Sequence, residues 1–295
     1  MIARQPLSSD PSGARTSMPA LLAGRYRLER VLGVGGMGIV YRARDLLHEQ
    51  FGEPRSRVAL KVLGENLAQS QDAHLLLYSE FSLTRYLRHE HVVRVFAFDV
   101  DSVGEVAFFT MELMSGMTLD QLLLDCPRGV PWQQLRPIAG GLLGALGHIH
   151  RQGVLHGDVK PSNVMLVDDG VRLFDFGLAQ AMAPPLTELA ALNPRRFSAW
   201  TPAYAAPELL DGAPLSASTE LYGAACLLYD LARGGRGAPG ERLEPPRQLP
   251  RRCWPALRMA LSVDPQHRTI TTDELQAAMQ CEHSVVGRWF AARAR

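Results

Sequence analysis

The chain has 295 residues, 46% of them hydrophobic, enough to bury a sizeable core as one large domain or two modest lobes. Its 31 basic and 30 acidic residues leave a formal net charge of +1, so no whole-molecule field draws it to nucleic acid or to an anionic membrane. Cys126, Cys226, Cys253 and Cys281 form no CxxC pair and fit neither a zinc site nor a disulfide framework, and no apolar run reaches the about 18 residues of a membrane span. The expectation is a cytoplasmic protein with reduced thiols.

Residues 1–24 carry no signal-peptide core, and their Ser, Pro and Gly content reads as a flexible tail. From Tyr26 the pattern is strand, glycine turn, strand, with Leu28 and Val31 or Leu32 before the glycines and Ile39, Val40 and Tyr41 after them. Residues 46–57 are polar and turn-rich and read as a long hairpin loop before a third strand, VALKVL. The stretch AHLLLYSEFSLTRYLRHE predicts a helix with Leu76, Leu77, Phe81 and Leu83 or Leu87 on its apolar side. Two more strands are expected near VVRVFAFDV and EVAFFTMEL.

From about Thr118 the texture turns helical. In WQQLRPIAGGLLGALGHIH, residues Leu135, Ile138, Leu142, Leu146 and Ile149 form one apolar stripe. Gly140, Gly141, Gly144 and Gly147 each lower its helicity by roughly 1 kcal/mol relative to Ala, so tertiary packing must offset them. Short strands flank the turn Asp168-Asp169-Gly170, and LYGAACLLYDL from Leu221 reads as a buried helix. The strand-rich part ends near Ser115-Gly116. The fold class expected is therefore α+β and bilobal: a domain over 25–280, with lobes 25–114 and 115–280, and tails at 1–24 and 281–295.

Gly33-Val-Gly35-Gly36-Met-Gly38 lies between two strands rather than between a strand and a helix. Glycines at a hairpin tip make a flap whose backbone N–H groups can approach phosphates without Cβ obstruction. Lys61, inside an apolar strand, requires anions nearby. Nucleotide phosphates on one side and Glu80 of the following helix on the other would satisfy it. The segment His156-Gly-Asp158-Val-Lys160-Pro-Ser-Asn163 is followed twelve residues later by Asp175-Phe-Gly. Phosphoryl transfer needs a carboxylate for the attacking hydroxyl, oxygen ligands for hard cations and a cation on the γ-phosphate. Asp158, then Asn163 with Asp175, then Lys160 fill these roles.

On these motifs the chain resembles the protein kinase superfamily, most closely bacterial serine/threonine kinases with a GxGGMGxVY flap, over about residues 24–280. The resemblance implies a kinase that uses ATP with Mg²⁺ or Mn²⁺, acts on protein substrates in bacterial signalling and autophosphorylates. It implies that Leu32, Gly33, Gly35, Gly36 and Gly38 cover the nucleotide. Met111 stands at the mouth of the adenine pocket, with backbone groups of Glu112 and Met114 on the adenine edge, Val40 and Ala59 above the ring and Met165 below. Thr201-Pro-Ala-Tyr-Ala-Ala-Pro-Glu208 resembles the end of an activation segment, Arg268 the arginine that pairs with that glutamate, and His156 the histidine that packs on Phe176. Lys160 with Thr201 resembles the serine/threonine-specific arrangement.

Three features depart from the family pattern. Gly157 stands where an arginine commonly meets a phosphate on the activation segment, which implies that activity does not depend strongly on phosphorylation of Thr187 or Ser198. Arg195 and Arg196 are other cations placed to meet such a phosphate. Glu220, at the start of the Leu221 helix, replaces an aspartate that anchors the catalytic loop. The region after Gly234 is short and rich in Pro, Gly and Arg, so a substrate-docking helix is reduced or missing. Ser8, Ser9, Thr16 and Ser17 are further candidate acceptors. The competing readings are a small-molecule phosphotransferase of the aminoglycoside or choline kinase type and a pseudokinase scaffold. His89 and His91 read as a helix-to-strand turn.

Overall fold

The structure is a computed structural model and describes residues 20–35, 38–63, 73–103, 105–182, 187, 189, 201–236 and 242–280. Gly36, Ser198, Arg195, Arg196, Cys281 and both tails from residue 1 to 19 and from 281 onward lie outside the described residues. Six strands pair antiparallel: β1 (Leu21–Leu22), β2 (Tyr26–Gly35), β3 (Gly38–Asp45), β4 (Arg57–Leu63), β5 (Val95–Asp101) and β6 (Val106–Met111). Their spatial order is β1-β2-β3-β4-β6-β5.

Side chains alternate along a strand, and in β4 this decides what faces the site. Val58, Leu60 and Val62 turn to one face and join Leu22, Tyr26, Ala43 and Phe108 in a small outer core. Ala59 turns to the other face, with Phe109 and Met111 of β6, in the core that continues into the second lobe. Lys61 shares that inner face by the same period of two. Helix α2 (Ala73–Tyr86) closes over it, the Phe81 ring 5.8 Å from Phe98 and 6.0 Å from Phe109. Of the apolar positions expected on α2, Leu77, Phe81, Leu83 and Leu87 are buried.

Two expectations for this lobe change. Residues 46–57 are not loop throughout: α1 (Leu46–Gln50) occupies their start, because the Asp45 carboxylate accepts from Leu47 N at 3.1 Å and His48 N at 3.3 Å and so caps a helix. The strand expected from Val92 begins at Val95. Val92 and Val93 instead pair with the second lobe, where Val93 N donates to Leu173 O at 2.9 Å and Leu173 N to His91 O at 2.8 Å. His89 and His91 stand in this turn, and His91 Nδ1 lies 3.0 Å from Val171 O.

The second lobe is mainly helical. It holds β7 (Gly116–Thr118), α3 (Leu119–Asp125), α4 (Trp132–Arg151), β8 (Val154–Leu155), β9 (Val164–Val167), β10 (Gly170–Leu173) and β11 (Gln180–Ala181). Helices α5 (Pro207–Leu210), α6 (Ala217–Arg233), α7 (Trp254–Ala260) and α8 (Thr272–Gln280) follow. All five stripe residues of α4 are buried. Its glycines explain themselves here, since a Cβ at Gly140, Gly144 or Gly147 would run into Gln280, Gln276 or Asp273 of α8. The lost helicity is exchanged for a close helix contact, in which Gln276 Nε2 donates to Gly140 O at 2.9 Å and Gln280 Nε2 to Arg136 O at 3.2 Å.

Helix α6 is buried along most of its length, as the apolar run implied. It begins one turn earlier than Glu220, at Ala217. Ser216 and Thr219 form a reciprocal cap there, Thr219 N donating to Ser216 Oγ at 3.2 Å and Ser216 N to Thr219 Oγ1 at 2.9 Å. Between α6 and α7 no helix is present among the described residues. The two lobes together make the bilobal α+β architecture that the sequence implied.

Candidate active site

A cleft of about 730 Å³ opens between the lobes. Every site residue expected from the sequence and lying among the described residues lines it. Leu32, Gly33, Gly35, Gly38, Val40, Ala59 and Lys61 come from the sheet, Glu80 from α2, and Met111, Glu112 and Met114 from the connection. Asp158, Lys160, Asn163, Met165 and Asp175 come from the second lobe. The residues that sequence reasoning missed include Thr84, Val93, Val95, Phe109, Thr118 and Leu178. Most are apolar and carry no local mark that separates a lining position from ordinary core.

Lys61 joins two elements. Its Nζ lies 2.6 Å from Glu80 Oε1 and 2.6 Å from Asp175 Oδ1. Burial by itself would lower the lysine pKa, but Asp175 and Glu80 outweigh it and hold the ammonium above its ordinary value. For Asp175 burial pushes the other way, and Lys61 still holds its carboxyl below the usual range. Asp175 has φ of 66°, a left-handed backbone that a non-glycine residue adopts only when its surroundings enforce it. Phe176 supplies that enforcement, fully buried with its ring 4.6 Å from His156, whose Nε2 lies 3.1 Å from Phe174 O.

A second cluster forms around Asp158. Lys160 Nζ lies 2.6 Å from Asp158 Oδ2, Thr201 Oγ1 donates to Oδ1 at 3.1 Å, and Lys160 Nζ donates to Thr201 Oγ1 at 3.2 Å. Asn163 Nδ2 donates to Asp158 O at 2.9 Å and to Oδ2 at 3.1 Å, which turns its amide oxygen to other partners. An ionised Asp175 and an amide oxygen suit a hard divalent cation, which takes oxygen ligands.

The flap glycines separate into two kinds. A Cβ at Gly33 would meet nothing within 4 Å and one at Gly35 only Gly38 O at 4.0 Å, so the space beside them admits a ligand. At Gly38 a Cβ would strike Val62 O, so strand packing already requires that glycine. Along the connection, Glu112 N donates to Arg94 O at 2.9 Å, which leaves the Glu112 carbonyl as the group to face a ligand.

The loop is anchored from below. Glu220, 4% exposed, accepts from Gly157 N at 2.5 Å and lies 2.8 Å from His150 Nε2. Burial would raise its pKa, but the His150 hydrogen bond and charge hold the carboxyl below its ordinary value. The longer side chain thus does reach the loop. Gly157 has φ of 86°, and a Cβ there would collide with Leu178 O. We expect Gly157→Ala to lower the unfolding free energy by about 2 kcal/mol, read as a shifted denaturant midpoint. An unshifted midpoint would show that the loop relaxes freely.

The sequence model described as the protein kinase domain matches residues 26–277. The chain belongs to the protein kinase family. The chain is 36% identical over 219 residues to a probable serine/threonine-protein kinase of Streptomyces coelicolor, covering 72% of this chain and 31% of that protein. It is 34% identical over 273 residues to the serine/threonine-protein kinase PkaA of the same organism, covering 84% of this chain and 48% of PkaA. The chain therefore spans about a third to a half of the length of these curated relatives. The crystal structure of the Mycobacterium tuberculosis PknI kinase domain, C20A mutant, superposes with a TM-score of 0.64 at 27% identity, covering 88% of this chain and 95% of that kinase-domain chain. No helix among the described residues is long and apolar enough to cross a membrane.

Proposed function

We propose that the chain is a serine/threonine protein kinase that transfers the γ-phosphate of ATP, with Mg²⁺ or Mn²⁺, to Ser and Thr hydroxyls of proteins, itself included. The observation that carries this reading is the convergence on Asp158 of Lys160, Thr201 and Asn163, at the edge of a cleft whose far wall is the Lys61, Glu80 and Asp175 cluster. When bound, ATP supplies the phosphoryl group and the divalent cation neutralises the charge on its phosphates. In this reading Asp158 orients the accepting hydroxyl and takes its proton, while Lys160 and Thr201 hold that carboxylate in place. Asn163 and Asp175 would hold the cation, and Lys61, fixed by Glu80, would hold the phosphates. Leu32, Val40, Ala59, Met111 and Met165 would enclose the adenine, with Gly33, Gly35 and Gly36 above the phosphates.

We take residues 25–280 as the catalytic domain, with lobes meeting at 114 and 115 and tails on either side. ATP chemistry of this kind favours the cytoplasm, where the nucleotide is abundant. The ordered Lys61 and Asp175 contacts, which a scaffold need not keep, favour transfer over a pseudokinase.

The test is transfer of label from ATP to the protein itself and to a generic protein acceptor. We expect Ser or Thr to carry the label, and Lys61→Met, which leaves Glu80 and Asp175 facing each other without their cation, to lower the rate by about 100-fold or more. Transfer to small molecules alone, or equal rates in the variant, would overturn the reading.

A further inference from the structure

Beside the accepting hydroxyl's place stands an arginine that the transfer chemistry leaves unused. Arg236 sets its guanidinium 5.1 Å from the centre of the Tyr204 ring and donates from Nη2 to Ala203 O. Ala203 is two residues beyond Thr201, whose hydroxyl rests on Asp158. A chain spans at most about 3.5 Å per residue, so Arg236 stands within reach of side chains a few positions from a hydroxyl that Asp158 serves.

Arg236 is part of a run. From 233 to 252 the sequence has arginines at 233, 236, 242, 247, 251 and 252, against Glu241 and Glu244. Part of the run is tied to α6, where Tyr229 OH donates to Glu244 O at 3.1 Å and accepts from Glu244 N at 3.3 Å, and Arg242, two residues before Glu244, is exposed.

Two acids near this face, Asp230 and Glu112, already have partners. Tyr204 OH donates to Asp230 Oδ2 at 3.1 Å, and although burial pushes that carboxyl up to about 6, it is still ionised near neutral pH, its charge held by the Tyr204 hydroxyl and facing Arg236 and Arg233. The Glu112 carboxylate accepts from Arg94 N at 2.7 Å and lies 3.8 Å from Arg172. Thr118 and Ser162, which line the second-lobe side of the cleft, are uncharged. An acidic peptide segment passing Tyr204 would therefore meet the Arg236 guanidinium, and a basic one would meet like charge there.

From this we infer that the site selects Ser and Thr residues set among acidic side chains, and that Arg236, joined by Arg242 of the same run, is the specificity-determining element. The inference rests on the transfer activity proposed above, so its test reads binding and transfer separately. Two dye-labelled peptides, each with one Ser and otherwise identical, carry Glu or Arg at the flanking positions.

Anisotropy without nucleotide should give at least tenfold tighter binding of the Glu peptide, with the gap closing as salt rises. Transfer from Mg-ATP should favour the same peptide through KM more than kcat. Arg236→Glu should reverse the preference and Arg236→Lys should keep it, which a merely structural stack on Tyr204 would not do. Exposed Arg242→Glu, which changes no packing, should weaken the preference by itself.

Equal or tighter binding of the Arg peptide would overturn the inference, as would binding of neither peptide or a preference untouched by Arg236→Glu. Acidic preference in binding without any transfer would sink the transferase reading and leave the selectivity standing.

Discussion

Asp158→Asn is expected to slow phosphate transfer by about two to four orders of magnitude while leaving nucleotide affinity nearly unchanged. The substitution keeps the shape of the side chain and removes what its oxygens do. In the protein one oxygen lies 2.6 Å from the Lys160 ammonium and the other accepts the Thr201 hydroxyl at 3.1 Å. An amide can accept at one of these places only, and its NH₂ would face a donor at the other. The loss therefore falls on both proton acceptance and the orientation of the accepting hydroxyl. Calorimetry with Mg-ATP and a single-turnover transfer assay separate the two effects. A variant that keeps transfer within tenfold of the parent would remove Asp158 from the reaction.

The second large effect concerns stability. The Arg268 side chain is wholly buried, with Nη1 2.6 Å from Glu208 Oε1 and Nη2 3.3 Å from Oε2. It also donates to Ser262 O at 2.8 Å and Ser218 O at 3.2 Å, and lies 4.8 Å from the Tyr222 ring. Arg268→Met would leave two carbonyls and a carboxylate without their cation. Breaking a buried pair from one side costs about 3–5 kcal/mol, and because the Glu208 side chain is 18% exposed the lower end applies. At about 2–4 °C per kcal/mol for a domain of this size, the melting temperature should fall by about 6–12 °C. Glu208→Gln in the same chain should recover part of that loss, because the uncompensated charge goes with it. A fall of less than 2 °C would mean that the pair is ornamental. The scale of this effect follows from position: Glu208 ends the loop that begins at Thr201, so the pair bolts the accepting side of the site to α6.

Much of the site was legible in the sequence because it is made of residue types that are costly anywhere else. A lysine in an apolar strand, an acid pair seventeen residues apart and an asparagine between them need each other's charge, and Lys61, Asp158, Asn163 and Asp175 do converge. Position along the chain was enough to find them. What stayed hidden depends on distance across the fold. Val93 and Val95 look like any valines until the cleft forms beside them, and the shift of β5 to Val95 follows from hydrogen bonds to Leu173 that no local pattern announces. Glu220 looked like an imperfect replacement, but its extra methylene is taken up by reaching His150 and Gly157 together. The cap at Asp45 was readable in principle, since an acid before Leu-Leu-His-Glu is a helix start, and the polar composition of the segment obscured it.

The glycine face of α4 has a consequence for how the molecule opens. Helix α8 buries Thr272, Leu275 and Met279 but is otherwise fastened by amide side chains reaching α4 carbonyls and by the exposed pair of Arg151 with Asp273, 2.9 Å apart. Such fastenings exchange readily with water, and an exposed ion pair contributes little. Helix α6, by contrast, is sealed in apolar contact over most of its length. Amide hydrogens of α8 should therefore exchange through a local detachment well before those of α6, making the last described helix a separable unit of a domain whose catalytic floor stays closed.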